Sequence, residues 1–322
     1  MKIIALVPVR NEAWVLTHSL ASLSGFCDVI IVSDQSSEDQ SRDICRRFSK
    51  VVLLESAGSK ISTQVRWDLF DAARGYDGCN LLWCTDADEL VSPRAARACL
   101  EARRDQLVPG TVVECMFVHP WHSAARYRVF DWRYAPQLKP LAFVDDRRMD
   151  YDRSRPHSIH EPRVPEESAR RVLQAPELHV LHLQWLLANR TQMRQAWYRC
   201  KELLDGKPAA AINEYYAGTL PDRSARTAEM PAAWTEGLTF PDLAADREPS
   251  WNEREILAWF AQYGPARFEP LEIWHLAPLR EAFVEAVGRQ PRPDRSYRPS
   301  WPALARHFGR RVAAAARRRL PL

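Results

Sequence analysis

Residues 81–89 read LLWCTDADE, an apolar run that ends at two aspartates separated by one alanine. Apolar residues without polar alternation predict a short strand that is buried on both faces of a sheet. Similar runs precede it at 3–9, 29–32 and 51–54, with stretches of helical spacing between them. This β-α-β-α-β-α-β order predicts an α/β fold with parallel strands and right-handed crossovers.

Other segments follow from the same periodicity. Helices are predicted at 13–23, 38–48, 62–74, 93–105, 189–204 and 252–263, and a further strand at 111–118. Residues 119–176 lose clear periodicity and are rich in Arg, Asp, Pro and aromatic side chains, so we expect an irregular loop region. Residues 207–250 are Pro-rich and are also predicted to be irregular.

The domain prediction has three parts. Residues 1–205 are expected to form the α/β domain, 206–289 a mostly helical or irregular C-terminal extension, and 290–322 a Pro-rich linker with a basic tail. In the tail, Leu304, Phe308, Val312 and Ala315 fall on one side of a helix and Arg306, Arg310, Arg317 and Arg318 largely on the other. Such a basic amphipathic helix can rest on anionic lipid. A disordered solubilising tail is the alternative.

Polar clusters follow three of the predicted strands. They are Arg10-Asn11-Glu12, Ser33-Asp34 and the run from Asp86 to Glu89. In an open parallel sheet the carboxyl ends of the strands share one rim, where ligands bind. Two carboxylates one residue apart at such a rim can hold Mg²⁺ or Mn²⁺, which prefer oxygen ligands. Solvated turn carboxylates without a metal are the alternative.

The aspartate pair resembles the D-x-D motif of family 2 glycosyltransferases, in the subgroup whose strand ends in LDADE. Further motifs of that family occur in the same order: VPVRNE at 7–12, SDQSSED at 33–39, QVR at 64–66, His160-Glu161, and a late histidine at His182 followed by a helix with Arg194, Tyr198 and Lys201. The resemblance covers residues 1–205. It implies the GT-A fold, a Rossmann-like sheet that here carries a mostly helical C-terminal extension.

The resemblance also implies a reaction and its partners. A sugar would move from a nucleotide-diphospho-sugar donor to an acceptor hydroxyl, with inversion and with Mn²⁺ or Mg²⁺ as cofactor. The acceptor would be a glycan, a lipid-linked molecule or another small molecule, in the synthesis of cell-surface glycan or lipopolysaccharide. Ser33 and Gln35 stand where many relatives have an acid and a glycine, so recognition of the nucleobase is expected to differ.

Individual roles are carried over by motif position. Asp88 and His182 are the implied metal ligands, with His179 as the alternative histidine. Glu161 is the implied catalytic base, and Asp145, Asp146 and Glu89 are the alternative candidates for that role. Donor-binding roles fall on Pro8, Arg10, Glu12, Asp34, Arg66 and Asp86. Within that set Asp86 would meet the ribose, Asp34 the ribose or base, and Arg10 or Arg66 the diphosphate. The aromatic stretch with Trp121, Tyr127, Trp132 and Tyr134 is a hypothetical acceptor pocket.

Composition and missing motifs bear on other functions. Six arginines and no acid lie between residues 301 and 322, so the net charge of +4 belongs to the tail and does not indicate a nucleic-acid binder. Seven scattered cysteines without a C-x-x-C pair, and no apolar run long enough for a membrane span, predict a cytoplasmic protein that could touch the inner face of the membrane through its tail.

Three other functional classes are alternatives to the predicted glycosyltransferase function. A sugar nucleotidyltransferase needs a glycine-rich loop after the first strand, and an oxidoreductase needs G-x-G-x-x-G; both are missing. A non-catalytic nucleotide- or glycan-binding module stays as the alternative, although the paired aspartates and His182 argue against the loss of a metal.

Overall fold

A computed structural model describes residues 1–55, 64–129, 134–154, 162–165, 171–221, 225–244 and 249–295. The chain divides into two compact units, Met1–Leu186 with Arg226–Ala245 and Leu187–Ala225 with Asp246–Leu322. Trp132, the His160-Glu161 pair and the basic tail lie outside the described residues. Among the described helices, none has the length and apolar character that a bilayer span requires.

Strands and helices alternate through the first half of the chain. The strands are β1 (Ile3–Val9), β2 (Val29–Asp34), β3 (Val51–Glu55), β4 (Leu81–Cys84), β5 (Glu89–Val91), β6 (Thr111–Val118), β7 (Arg126–Arg128), β8 (Gln137–Val144), β9 (Arg171–His182) and β10 (Thr227–Glu229). The helices are α1 (Ala13–Ser24), α2 (Ser41–Arg46), α3 (Gln64–Ala73), α4 (Pro93–Ala102), α5 (Ala188–Leu204), α6 (Ala209–Tyr216), α7 (Ala232–Thr235), α8 (Trp251–Tyr263) and α9 (Ala277–Val287).

One large sheet dominates the first unit. Within the described residues it has eight strands in the order β3-β2-β1-β4-β8-β6-β9-β5. The strands from β3 to β4 are parallel, as predicted, whereas β8 runs antiparallel to both β4 and β6. β9 is parallel to β6, and β5 closes the sheet antiparallel to β9. The sheet is therefore mixed, and its antiparallel part comes from the second half of the unit.

The prediction that residues 119–176 are irregular was wrong. That stretch contains β7, all of β8 and the beginning of β9. Pro140 interrupts the apolar pattern of β8, and Pro176 interrupts that of β9, where the pairing with β6 also shifts register. Residues 207–250 likewise contain α6, β10 and α7, contrary to the prediction.

Both faces of the parallel strands are covered by apolar side chains. Along β1, Ala5, Val7 and Val9 belong to one buried cluster, and Ile4 and Leu6 belong to the other. A strand that faces two cores needs apolar residues at every position, which explains its continuous apolar run. This packing fixes the strands, and so fixes the positions of the polar residues that follow them.

Gly25 lies where the end of α1 meets α4. Its φ of −70° suits any residue, but an added Cβ would lie 2.5 Å from Cβ and 2.8 Å from Cγ of Pro93. With free space, Gly25→Ala would stabilise the protein by restricting the unfolded chain. With this clash, we expect it to lower the free energy of unfolding by about 1–3 kcal/mol. Chemical denaturation measures the effect.

The double variant Gly25→Ala, Pro93→Gly is the control, because glycine at position 93 lacks both of the Pro93 atoms that the new methyl group would contact. It should be more stable than expected from adding the effects of the two single changes. A Gly25→Ala protein as stable as the wild type would show that the α1–α4 contact is looser than described.

The second unit is helical in its described part. The predicted helices 189–204 and 252–263 correspond to α5 and α8. Trp197 of α5 packs edge-on against Trp251 of α8, with ring centroids 5.3 Å apart. Arg199 is fully buried and donates to the carbonyl oxygen of Tyr216 at 3.0 Å.

Candidate active site

The two aspartates after β4 lie in a loop that the pairing of β5 with β9 holds in place. Glu89 is paired with His182, and the backbone N–H of Leu183 donates to the carbonyl oxygen of Asp88 at 2.8 Å. This pairing brings Nε2 of His182 to 3.4 Å from Oδ1 of Asp88. One ligand atom each of Asp86, Asp88 and His182 lie within 4.8 Å of one another.

These three residues fit a divalent metal ion. Two carboxylates and one imidazole form a donor set that suits Mn²⁺ well and Mg²⁺ through its oxygens. Asp88 is only 5% exposed, so it is shielded from water within the chain. Among the described residues, no other group of three or more His, Cys, Asp or Glu side chains has this geometry.

Two buried arginines hold Asp86. Nη2 of Arg66 donates to Oδ1 of Asp86 at 2.5 Å, and Nη2 of Arg163 donates to Oδ2 at 2.8 Å. Arg163 also donates to both oxygens of Glu89, at 2.6 and 2.8 Å. The backbone N–H of Asp86 and the hydroxyl of Thr85 donate to Oε2 of Glu89 as well. The loop is thus fixed by a buried ionic network centred on Arg163.

Arg163 was not singled out from the sequence. It stands in a Pro-rich stretch, where no local pattern separates a buried arginine from a surface one. Burial tends to lower the pKa of Arg163, but the carboxylates of Asp86 and Glu89 outweigh burial and raise that pKa above its ordinary value. Arg163 therefore stays charged and neutralises part of the acidic loop.

Asp34 lies at the end of β2, and among the described residues only one of its two carboxylate oxygens accepts hydrogen bonds. Its Oδ2 accepts from the backbone N–H of Ser37 at 3.1 Å and from Nε of Arg42 at 2.6 Å. Its buried Oδ1 has no hydrogen-bond partner among the described residues, and the same holds for Oε1 of the adjacent Gln35. Buried polar atoms are costly when unsatisfied, so this pair indicates a ligand with hydrogen-bond donors.

The end of β1 lies beside Asp34. Val9 is paired with Asp34, and Pro8 with Ser33, so Arg10 follows directly at the same rim. The carboxylate of Glu12 is occupied differently: its Oε2 accepts from the indole N–H of Trp14 at 2.5 Å. Of the predicted donor-site residues, the rim therefore brings Pro8, Arg10 and Asp34 together, while Arg66 and Asp86 belong to the ionic network.

His179 does not lie with the aspartates. It stacks on Trp234 with ring centroids 3.7 Å apart, and burial lowers its pKa. The carboxylates considered as alternatives to Glu161 have structural partners. Asp145 accepts two hydrogen bonds from Arg74, Asp146 accepts from two backbone N–H groups of its own turn, and Glu89 is bound to Arg163. Glu161 itself lies outside the described residues.

A cluster of rings adjoins His182. Trp121 stacks on Trp185 with centroids 4.7 Å apart, and both contact Tyr134. The guanidinium of Arg128 lies 4.3 Å from the ring centroid of Trp121. Of the aromatic residues proposed for an acceptor pocket, Trp121 and Tyr134 are thus neighbours. Tyr127 instead contacts Trp234, with centroids 5.1 Å apart, and Trp132 lies outside the described residues.

His119 joins this ring cluster to His182. Its ring centroid is 5.6 Å from that of Tyr134 and 5.1 Å from that of His182. Burial, followed by the charges of His182 and Lys139, lowers the pKa of His119 well below its ordinary value, so the imidazole is neutral. Sequence reasoning missed both His119 and Trp185, because no motif marks either residue.

Comparison with known proteins agrees with the motifs. Residues 4–153 match the model of the family described as glycosyl transferase family 2. No curated protein sequence resembles the chain closely enough to count as a match.

Three solved structures illustrate the range of structural similarity. The mannosyltransferase PcManGT from Pyrobaculum calidifontis, in complex with GDP-Man and Mn²⁺, is 17% identical over 89% of this chain and 87% of that chain, with a TM-score of 0.40. S. aureus TarS is 12% identical over 89% and 54%, with a TM-score of 0.41. Glucosyl-3-phosphoglycerate synthase from Mycobacterium tuberculosis is 16% identical over 36% and 44%, with a TM-score of 0.29. Structural similarities this weak give no information about the function of this chain.

The family match and the motifs coincide in the chain. Residues 4–153 include the VPVRNE, SDQSSED, QVR and DAD segments. QVR begins α3, and the other three segments lie at the carboxyl ends of the parallel strands β1, β2 and β4, along one edge of the sheet. Residues 4–153 therefore resemble glycosyl transferase family 2, and the mixed α/β sheet agrees with the GT-A fold that the motifs implied.

Proposed function

We propose that this glycosyltransferase transfers a sugar from a nucleotide-diphospho-sugar to an acceptor hydroxyl, with Mn²⁺ or Mg²⁺ bound by Asp88 and His182. The observation that carries the proposal is the grouping of Asp86, Asp88 and His182 within 4.8 Å at the end of β4. A divalent ion bound there would neutralise charge on the departing nucleoside diphosphate. The chain's own residues hold that position: β5 and β9 fix Asp88 beside His182, and Arg163 fixes the loop.

The nucleoside is proposed to bind at the end of β2. Asp34 offers an open, buried carboxylate oxygen to the hydroxyl groups of a ribose or to the N–H groups of a base. The neighbouring Gln35 adds a second acceptor where many relatives have glycine. Arg10 follows β1 at the same rim and is proposed to approach the diphosphate.

The rest of the reaction is proposed on family grounds. Inverting transfer needs a base that takes the proton of the acceptor hydroxyl, and Glu161 is the proposed base. We further propose a glycan, lipid-linked or other small acceptor used in the synthesis of cell-surface glycan or lipopolysaccharide. A cytoplasmic site of action, with the basic tail touching anionic lipid, is part of the same proposal.

Product analysis tests the proposed reaction. The protein is incubated with UDP-, GDP-, CMP- and dTDP-sugars in Mn²⁺, Mg²⁺ or EDTA, and ¹H NMR follows nucleotide release and the anomeric configuration of the product. One donor class should turn over only with a divalent ion and give an inverted anomer. Nucleotide binding without turnover of any donor, in the presence of a wide range of acceptors, would favour a non-catalytic binding protein.

Asp34→Asn is expected to weaken nucleotide binding by about 10–100-fold. The substitution keeps the side-chain size, but it removes the negative charge that strengthens hydrogen bonds to a ligand, each worth about 1.5–3 kcal/mol. Calorimetric titration with UDP and GDP measures the change. Asp43→Asn, at an exposed aspartate of α2 bonded to Arg46, is the matched control and should leave binding unchanged. Equal affinities of Asp34→Asn and wild type would remove Asp34 from the nucleotide site.

A further inference from the structure

His182 has a buried ring nitrogen that the described residues do not satisfy. Its Nε2 faces Oδ1 of Asp88 at 3.4 Å, while its Nδ1 has no hydrogen-bond partner in the described part of the chain. A histidine that binds a metal through one nitrogen carries a proton on the other. That N–H is almost always donated to an acceptor, which fixes the orientation of the ring.

His119 packs against the ring of His182. β6 and β9 are parallel, and Val118 is paired with Leu181, so His119 and His182 occupy equivalent positions just beyond this pair. Their ring centroids are 5.1 Å apart, with the ring planes inclined at 58°. His119 is 4% exposed, and within the described residues neither of its ring nitrogens has a hydrogen-bond partner.

The two imidazoles complement each other chemically. A neutral imidazole has one nitrogen that accepts and one that donates, so His119 can accept from Nδ1–H of His182. Phe117 also packs on both rings, with centroids 5.1 and 5.3 Å away, but it has no hydrogen-bonding group. A modest ring rotation or one bridging water would join the two histidines.

We propose that His119 is a positioning residue for His182: it accepts a hydrogen bond from Nδ1–H of His182, directly or through one water, and so keeps Nε2 of His182 turned toward the metal ion. His119 is not itself placed among the ligands, because the group of ligand atoms within 4.8 Å comprises Asp86, Asp88 and His182. The inference rests on the proposed metal site.

The test is a titration of the full chain with Mn²⁺ alone, in which electron paramagnetic resonance measures the free ion. His119→Phe keeps a ring of similar shape without nitrogens, and it should raise the dissociation constant for Mn²⁺ about 10–100-fold. His119→Asn and His119→Gln each return an acceptor oxygen, and at least one of them should recover most of the affinity. Phe117→Leu is the packing control, which should bind Mn²⁺ as the wild type does.

The possible outcomes distinguish a failure of the positioning role of His119 from a failure of the proposed metal site. If His119→Phe binds Mn²⁺ as tightly as the wild type, or if Phe117→Leu loses as much affinity as His119→Phe, the positioning role is wrong. If neither His119→Asn nor His119→Gln improves on His119→Phe, the hydrogen bond is not the cause, and the role is wrong as well. If His182→Ala also binds Mn²⁺ as the wild type does, the proposed metal site fails and the inference fails with it.

Discussion

Asp88→Asn is expected to lower the rate of sugar transfer by about three orders of magnitude at saturating donor and Mn²⁺. A bound metal contributes several kcal/mol of charge stabilisation in the transition state, and each 1.36 kcal/mol is a tenfold change in rate. Asparagine preserves the size of the side chain at a position that is 5% exposed, so packing around it should change little. What it removes is the negative charge beside His182. Initial rates with the donor that product analysis identifies measure the loss.

Asp105→Asn is the matched control for that change. Asp105 is an exposed aspartate in the same unit, and its substitution should leave the rate and the Mn²⁺ dependence unchanged. An Asp88→Asn protein that kept more than about a tenth of the wild-type rate would contradict the assignment, since the expected loss is several kcal/mol.

Arg163→Ala is expected to lower the free energy of unfolding by about 3–5 kcal/mol, the cost of removing one partner from a buried ion pair. The substitution leaves Glu89 buried without its two arginine hydrogen bonds and takes one from Asp86. For a unit of this size the melting temperature should fall by roughly 10 °C. Denaturant titration and thermal unfolding measure the two quantities.

Arg153→Ala serves as the comparison. Arg153 makes bonds of similar length with Asp71 and Asp150, but at the surface, where such pairs contribute at most about 1 kcal/mol. If Arg163→Ala destabilised the protein no more than Arg153→Ala, the ionic network beneath the loop would not be what fixes it.

The parts of the fold that could be predicted are those with strong local patterns. The runs of β1 and β4 are apolar at every position because two cores cover them, and the structure confirms both strands. β8 and β9 contain Pro140 and Pro176, which break the pattern, and their pairing with β6 depends on contacts distant in sequence. β5 has three residues, too few for any periodicity to show.

The candidate site shows the same division. Asp86 and Asp88 are marked by their spacing after a strand, but the approach of His182 depends on the register of β5 with β9. His119 depends in turn on the register of β6 with β9. Arg163 has no local signature, and only the folded chain brings it to Asp86. Sequence motifs therefore predicted Asp86, Asp88 and His182 as members of the candidate site, whereas Arg163 and His119 could be found only from the folded chain.

The central claim is that Asp88 and His182 bind a divalent ion that holds a nucleoside diphosphate. The most direct test is a thermal-shift panel with UDP, GDP, CDP and dTDP in Mn²⁺, Mg²⁺ or EDTA, on the wild type and on Asp88→Ala. The account predicts a rise in melting temperature with one nucleotide, only with a divalent ion and only in the wild type. A folded wild-type protein that no nucleotide stabilises, or a rise that persists in EDTA or in Asp88→Ala, would contradict it.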